Sequence, residues 1–557
     1  TIPHKLSQEG PGLAVGDVNG DRLDDFYVGG AANNPGTFFI QRPDGTFGAT
    51  TGLIDKADKQ AEDMGALFFD ADGDGDQDLY VVSGSNEWEA GSDAYQDRLY
   101  RNNGAGRFTL DAAALPALRS SGSCIKAADF DRDGDLDLFR GGRGVPNRYP
   151  LPGQSYVLRN DGGKFTDATG TVFPGLSALG MITDALWSDF DGDGQTDLVV
   201  VGEWMPVTFL RNGNGVFKDV TAATGIGNQV GWWNSLAAAD FDRDGDLDYV
   251  AGNLGLNTNY KASPEQPLAV YGGDFDDNGN YDVVLSCYMK AEDGQMKPFP
   301  MHTRDDLIIQ LIRTRREYTT YVKYGQATTD KIISDEDRKK AVTYQANQFA
   351  SSYLQNLGWG KFALKALPTP AQYAPVKGIL PTDADGDGLL DLLLVGNDYA
   401  TEVFTGRYDA LVGQMLRGNG KGDFAPVPVA RSGFFVDGDA RGVAQLADAQ
   451  GNLLTVVTQN RDSLKVFRPT AGPSGKTPVI TLQPNDAWVE IAHADGRTEK
   501  LEAHSGATYL SQSTRSVPVP AGARVVAVTD YAGKRRTVVP TTALTGKGVG
   551  SVTAAAR

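Results

Sequence analysis

Short apolar runs alternate with tight acidic loops along most of the chain. In one stretch the order is Ala66-Leu-Phe-Phe69, an acidic loop from Asp70, and Leu79-Tyr-Val-Val-Ser83. Arg98-Leu-Tyr-Arg101 and Arg107-Phe-Thr-Leu110 follow, around the polar turn Asn102-Asn-Gly-Ala-Gly106. Brief apolar and aromatic runs bounded by Asp, Asn and Gly predict strands and turns rather than helices. The unit reads as two inner strands joined by the acidic loop, then an outer hairpin. That hairpin recurs at 157–165, 208–217, 353–362 and 415–424, each with a Gly-rich turn followed by Phe.

Seven acidic loops share one phase, with oxygen-bearing side chains at positions 1, 3, 5 and 9. They are Asp17, Asn19, Asp21, Asp25; Asp70, Asp72, Asp74, Asp78; Asp129, Asp131, Asp133, Asp137; and Asp189, Asp191, Asp193, Asp197. The rest are Asp240, Asp242, Asp244, Asp248; Asp274, Asp276, Asn278, Asp282; and Asp383, Asp385, Asp387, Asp391. Hard oxygens at alternate positions of a tight turn suit Ca²⁺, which takes about 6–8 oxygen ligands. The absence of sulfur and imidazole from the loops argues against zinc and copper. An EF-hand is excluded, because it needs Glu at position 12 and flanking helices. Position 12 is Val28, Val81 and Val200 in three of the loops, and the flanks are strand-like. Up to seven structural Ca²⁺ sites are expected.

Loop starts recur every 50–60 residues through Asp240, the period of a propeller blade. Only 34 residues separate Asp240 from Asp274, so the fifth blade is expected to be truncated. The 109 residues from Asp274 to Asp383 hold an insertion, 303–347, that reads as helical, with Ser334 and Asp337 spaced as a cap. An eighth unit, 442–467, lacks the loop and is expected to close the ring with Ile2–Leu6. The fold expected is an all-β propeller over 1–468, with eight blades favoured and seven possible. A Pro/Gly-rich linker (469–475), a small β-domain (476–540) and a tail (541–557) complete the chain.

Composition narrows the partners. The formal charge of −19 and the lack of a basic stretch exclude nucleic acid. Seven divalent cations would offset most of that charge, so the metal-free loops should repel themselves. Two cysteines, Cys124 and Cys287, lie in different repeats and provide no disulfide framework. No apolar run is long enough to span a membrane. The chain begins at Thr1 close to its first repeat, as a trimmed or mature form would, with any signal or anchor out of view.

The repeated Asp-x-Asp-x-Asp-Gly-x-x-Asp loop resembles that of FG-GAP/VCBS repeat proteins, calcium-binding propellers also seen in integrin α-subunits. The resemblance covers about 12–467. The later segments Val489-Glu-Ile-Ala-His-Ala-Asp-Gly496 and Gly506-Ala-Thr-Tyr-Leu-Ser-Gln512 resemble the ASPIC/UnbV domain. Together they are similar to bacterial members of the cartilage-acidic-protein family, commonly surface or secreted proteins of Bacteroidota. The resemblance implies a calcium-binding propeller outside the cell. It does not imply a reaction, since propellers host many functions.

If the acidic loops staple one rim, a ligand would use the opposite one. Loops expected there carry Trp88, Arg148, Trp204, Trp232, Trp233, Asn253, Arg407 and Tyr408. Aromatic faces beside Asn and Arg suit a glycan or a peptide. The alternative for each Trp is packing between blades. For catalysis, His302 with Tyr288 and Arg304 would form a base and anion clamp, and Glu87 with Glu203 a carboxylate pair. Two readings follow. One is a surface protein binding a glycan, peptide or protein partner, which includes an accessory subunit of an outer-membrane assembly. The other is a glycan lyase or hydrolase.

Overall fold

The computed structural model describes residues 2–54, 59–403, 405–469, 478–494, 496–519 and 523–538. Most of the expected linker and all of 541–557 lie outside the described residues. The architecture is a β-propeller with seven blades and not the eight favoured from the repeats, because the unit around Asp274 forms a sheet outside the ring. Blade one is Leu13–Gly16, Asp25–Val28, Thr37–Gln41 and Phe47–Thr50. Blade two runs from Glu62–Phe69 to Thr109–Leu110, blade three from Gly122–Ala128 to Lys164–Asp167, and blade four from Met181–Ser188 to Phe217–Asp219. Blade six spans Val376–Thr382 to Phe424–Val427, and blade seven has three described strands, Ala440–Ala447, Leu453–Gln459 and Lys465–Phe467. First strands of consecutive blades lie side by side, and that of blade seven lies beside that of blade one, which closes the ring.

The unit expected to be a truncated fifth blade is complete. Ser235–Ala239 and Asp248–Gly252 pair with Ser352–Asn356 and Phe362–Ala366, with Tyr249 opposite Leu354. Residues 253–351 are inserted between its second and third strands. The insertion has its own sheet, in the order Met296–Pro300, Asp282–Lys290, Leu268–Gly273, Val342–Ala346. The sixth acidic loop therefore belongs to the insertion and not to a blade, and 342–346 is a strand rather than helix. Between them lie short helices from Arg304–Gln310 to Asp335–Lys340. The last is capped by Ser334, which accepts the Asp337 N–H at 3.1 Å. The first carries a reciprocal Thr303/Asp306 capping box.

Inner strands are buried throughout because both faces are covered by neighbouring blades, and the charges they carry, such as Lys126 and Arg140, are paired internally with Asp184 and Asp97. Every residue of Asp78–Gly84, Gly122–Ala128 and Asp137–Gly142 is buried, so their sequences lack the alternation of a half-exposed strand. Neighbouring blades are also bonded through one repeated asparagine. At the end of the third strand, Asn102, Asn160, Asn212 and Asn356 donate Nδ2–H to the carbonyls of Val18, Ala71, Phe130 and Phe190. Each acceptor stands at position 2 of the preceding blade's acidic loop. Gln41 takes the equivalent place in blade one and donates to Ala447 O of blade seven, across the point of closure.

The later β-domain has a sheet in the order Thr498–Glu502, Asp486–His493, Ala523–Asp530, Arg535–Val538. Its segment 503–514 enters the centre of the ring. Ser511 and Gln512 pair in parallel with Leu13 and Ala14 of blade one. Gln512 bonds both the N–H and the carbonyl of Phe68, and Lys126 Nζ donates to Thr508 O. Tyr509, at 2% exposure, reaches Glu9 O at 3.3 Å. The channel is filled by this segment instead of open. Ile2–Leu6 adds no strand to blade seven; it crosses the far face and pairs with the 400–402 loop.

Candidate functional site

The acidic loops join first and second strands, so those on the blades share one rim. Their side chains converge. In Asp129/Asp131/Asp137, Asp189/Asp191/Asp197, Asp240/Asp242/Asp248 and Asp70/Asp72/Asp74, one oxygen from each residue lies within 4.8 Å of the other two. The position 9 carboxylate is the buried anchor. Asp197 Oδ1 accepts the Asn212 N–H at 2.7 Å, which ties loop to outer hairpin. Oxygens left over point inward: Asp131 Oδ1, Asp137 Oδ2, Asp189 Oδ1, Asp197 Oδ2, Asp240 Oδ1 and Asp242 Oδ1 are buried with no donor among the described residues. Burial pushes the Asp137 carboxyl up to about 8 and that of Asp197 up to about 9. An all-oxygen donor set with orphaned, desolvated carboxylates fits a hard divalent cation. Third-strand arginines supply part of the countercharge. Arg211 bonds Asp191 at 2.9 Å and Asp193 at 3.1 Å, and Arg159 bonds Asp131 at 2.8 Å. Asn19 and Asn278 each accept a loop N–H, from Asp21 and Asn280.

This rim is partly covered. Lys500 Nζ lies 3.3 Å from Asp189 Oδ2, the Asp189 N–H donates to Glu502, and Asn485 donates to Gly134 O of the third loop. Between them sits a cavity of about 20 Å³ lined by Trp187, Trp488, Glu502, His504 and Tyr531. Burial lowers the His504 imidazole to about 4 and raises the Glu502 carboxyl to about 7.

The opposite rim is built from residues that follow second strands or precede first strands. Three predicted residues, Trp204, Trp232 and Tyr408, meet there, but all are buried in one core cluster at 6%, 3% and 7% exposure, the packed arrangement that was the alternative for each Trp. Trp204 and Trp232 are edge to face at 4.9 Å, and Trp232 meets Tyr260 at 5.4 Å. Trp204 Nε1–H donates to Tyr149 OH at 2.7 Å, and that hydroxyl donates to Glu203 Oε2 at 3.2 Å. Trp204 holds a backbone φ of +62°, a conformation costly for a bulky residue. This irregularity within the strand Asp197–Pro206 places Glu203 and Trp204 side by side beneath the far face.

Glu203 is the electrostatic centre. It is 2% exposed and receives Arg143 and, at 2.9 Å, His4 Nε2. Burial alone would raise its carboxyl; the Arg143 guanidinium and His4 more than offset that and hold it well below the usual range. Arg143 also grips Glu9 through Nε at 2.8 and 2.9 Å. Lys377, buried and donating to Asn234 Oδ1 at 2.8 Å, and Asp398 stand across from them. Burial lowers the Lys377 ammonium. For Asp398, Arg441 and Lys377 outweigh burial and hold the carboxyl low. A cavity of about 20 Å³ lies between Pro3, His4, Glu203, Trp232, Tyr260, Lys377, Asp398 and Tyr408. That is room for one water.

The remaining predicted residues are scattered. Trp233 is fully buried between blades four and five, with Leu236 and Phe209. Asn253 is buried as a backbone clamp, accepting the Trp232 N–H and donating to Gln348 O. Trp88, Arg148 and Arg407 are exposed, Arg407 resting over the Tyr399 ring at 5.3 Å. His302 is not a free base. It is 8% exposed, and its Nε2 accepts the Leu285 N–H at 3.0 Å. Burial lowers it to about 4, and it lines neither cavity. Arg304 bonds Tyr318 O, and Tyr288 pairs with Pro298 in the inserted sheet. Glu87 is exposed while Glu203 is occupied by Arg143. The sequence reading singled out none of His4, Glu9, Lys377 and Asp398. The usable signal was a charge inside an apolar first strand, as in Val376-Lys377-Gly378-Ile379-Leu380.

No helix among the described residues is long and apolar enough to cross a membrane. Comparison with known proteins gives the FG-GAP-like repeat at residues 17–81, 70–139 and 189–251. Cartilage acidic protein 1 of Xenopus tropicalis is 26% identical over 265 residues, 41% of this chain and 40% of that protein. Cartilage acidic protein 1 of Mus musculus is 25% identical over 213 residues, 35% of this chain and 32% of that protein. The match thus spans well under half the length of either relative. A solved structure of an Agrocybe aegerita lectin that recognises non-reducing terminal N-acetylglucosamine aligns with 83% of this chain and 95% of its own. Its identity is 16% and its TM-score 0.37; the blade count above stands on the chain's own strand pairing.

Proposed function

We propose that this chain, a propeller carrying FG-GAP-like repeats, is an extracellular binding protein. In this reading, calcium at the acidic rim holds the scaffold and the opposite face recognises a peptide, glycan or surface protein. One observation carries it: Trp204, Trp232, Tyr260 and Tyr408, all buried, pack with Glu203, Lys377 and Asp398 beside a small cavity that Pro3 and His4 also line. Such a set combines apolar faces with fixed charges, as recognition sites do. The enzymatic alternative loses its base, because His302 is buried as a backbone acceptor.

Calcium is the cation the loops favour. Mg²⁺ keeps more of its water, whereas the loops supply many protein oxygens to one point. Extracellular modules bind calcium with dissociation constants of about 10⁻⁴–10⁻³ M, so millimolar calcium outside a cell would fill such sites. The whole-length functions of cartilage acidic protein 1 are not carried over. A glycan array and a pull-down from native membranes, each run with Trp232→Ala and Glu203→Gln variants, test the reading. Binding that is lost with either variant supports it. Binding indifferent to both moves the site elsewhere.

A further inference from the structure

We propose that the aromatic box around His4 recognises a cationic side chain carried on an extended peptide, and that residues 2–6 occupy it in place of that ligand. The inference rests on the reading of this face as the binding face, and names the ligand class and what keeps the site shut.

Residues 2–6 are bound as a peptide ligand would be. The Lys5 N–H donates to Ala400 O at 2.8 Å and the Glu402 N–H donates to Pro3 O at 3.2 Å. These bonds flank an antiparallel pairing of His4 with Thr401. Edge pairing of this kind reads backbone and leaves specificity to a side-chain pocket. The pocket is the box. The His4 ring stands edge-on to Tyr149 at 6.3 Å and to Trp232 at 6.2 Å, with Nε2 2.9 Å from Glu203 Oε1 and 3.4 Å from Arg143 Nη2. Glu9 and Glu203 set two carboxylates against the one guanidinium of Arg143, and that surplus of negative charge between aromatic walls favours a cation.

Two features separate a displaceable strap from a permanent seal. First, the anchoring changes after Ser7. Glu9 is gripped by Arg143, and Asn460 Nδ2 donates to Gln8 O at 2.7 Å and to Gly10 O at 3.3 Å. Residues 2–6 can leave while that anchor stays, at the cost of exposing Leu6, which is buried in the core cluster. Second, the box is incompletely satisfied by its occupant. Trp232 Nε1–H and Arg143 Nη1 are buried donors without an acceptor among the described residues. Native interiors seldom leave such groups unpaired, and backbone carbonyls of the extended peptide, rather than its cationic side chain, would complete them.

The test uses the chain lacking residues 1–6 beside the full chain. The probes are a capped peptide with the sequence of residues 2–7 and versions carrying His4→Arg and His4→Ala. Tryptophan fluorescence and calorimetry report binding, and circular dichroism reports folding. The shortened chain should fold and bind the His and Arg peptides at least tenfold more tightly than the Ala peptide. The full chain should bind all of them at least tenfold more weakly. Glu203→Gln in the shortened chain should erase the preference. A folded shortened chain that binds none of the peptides, or all alike, overturns the proposal. So does a shortened chain that does not fold, since residues 2–6 would then be structural. A glycan or membrane partner bound equally by both chains, and lost with Trp232→Ala, would overturn the strap while leaving the binding-face reading intact.

Discussion

Replacing Asn212 by alanine should loosen the seam between blades three and four by about 3 kcal/mol. The side chain is 2% exposed and makes three hydrogen bonds. Nδ2 donates to Phe130 O of blade three and to Thr196 O of its own loop, both at 2.9 Å, and Oδ1 accepts the Gly215 N–H at 2.7 Å. Alanine strands two carbonyls and one N–H where water has little access. Each lost bond is worth about 0.5–1.5 kcal/mol net, and each group left unsatisfied costs about 1–3 kcal/mol. The estimate of about 3 kcal/mol takes the lower part of that range, because the chain can relax at the turn. Asn212→Asp should cost more than alanine, since it aims a carboxylate at two carbonyl oxygens. Lys218→Ala, exposed on the same hairpin, should change stability by less than about 0.5 kcal/mol. Urea unfolding gives the magnitude, with cation held constant. Amide exchange at Gly215 shows whether the loss is local to the seam, which matters because a repeat ring need not unfold in one step. An Asn212→Ala protein within about 1 kcal/mol of the parent would refute the view that this asparagine joins the blades.

Chelation by EDTA should lower the melting temperature by many degrees and calcium should restore it; an unchanged melting curve removes the structural role of the cation. His302 is neutral in the fold, its ordinary imidazole value lowered to about 4 by burial. The unfolded chain takes up that proton first as pH falls from about 6.5, so roughly 3 kcal/mol of stability present at pH 7 should drain away towards pH 4. His302→Gln should flatten that slope in a pH series of melts. Arg143→Ala should cost about 3–5 kcal/mol by leaving two buried carboxylates without a cation. Adding Glu9→Gln and Glu203→Gln should recover a large part, as read by urea unfolding. Gln512→Ala should raise amide exchange across 503–514 by at least tenfold, because both backbone bonds to Phe68 are lost; unchanged exchange would mean that docking of the domain alone holds the segment.

The propeller was legible because its period is carried by local chemistry: Asp and Gly at fixed offsets, then strands apolar on both faces. The insertion hid the fifth blade. Residues 253–351 separate its halves, and nothing local in Ser352–Asn356 says that its partner lies before residue 253. The acidic loop at Asp274 reinforced the error, since the same turn serves a sheet outside the ring. Trp204, Trp232 and Tyr408 were found by residue type, but Trp233 is indistinguishable from Trp232 in sequence, and alternate residues of an extended chain face opposite sides. His4 and Glu9 were invisible as site residues. Their role depends on Arg143 and Glu203, which come from other blades and meet them only in the closed ring.

The parallel pairing of Leu13–Ala14 with Ser511–Gln512 also sets the order in which the molecule can be completed. The partners lie about 500 residues apart, so the innermost edge of blade one stays bare during synthesis until almost the whole of this sequence has emerged. An unpaired inner edge is a template for wrong strands, and contacts this distant form late. The segment that fills the ring is therefore also among the later pieces to dock in its assembly. Cutting the chain after residue 503 should yield a propeller prone to self-association, a defect that would surface in folding yield before it surfaced in binding.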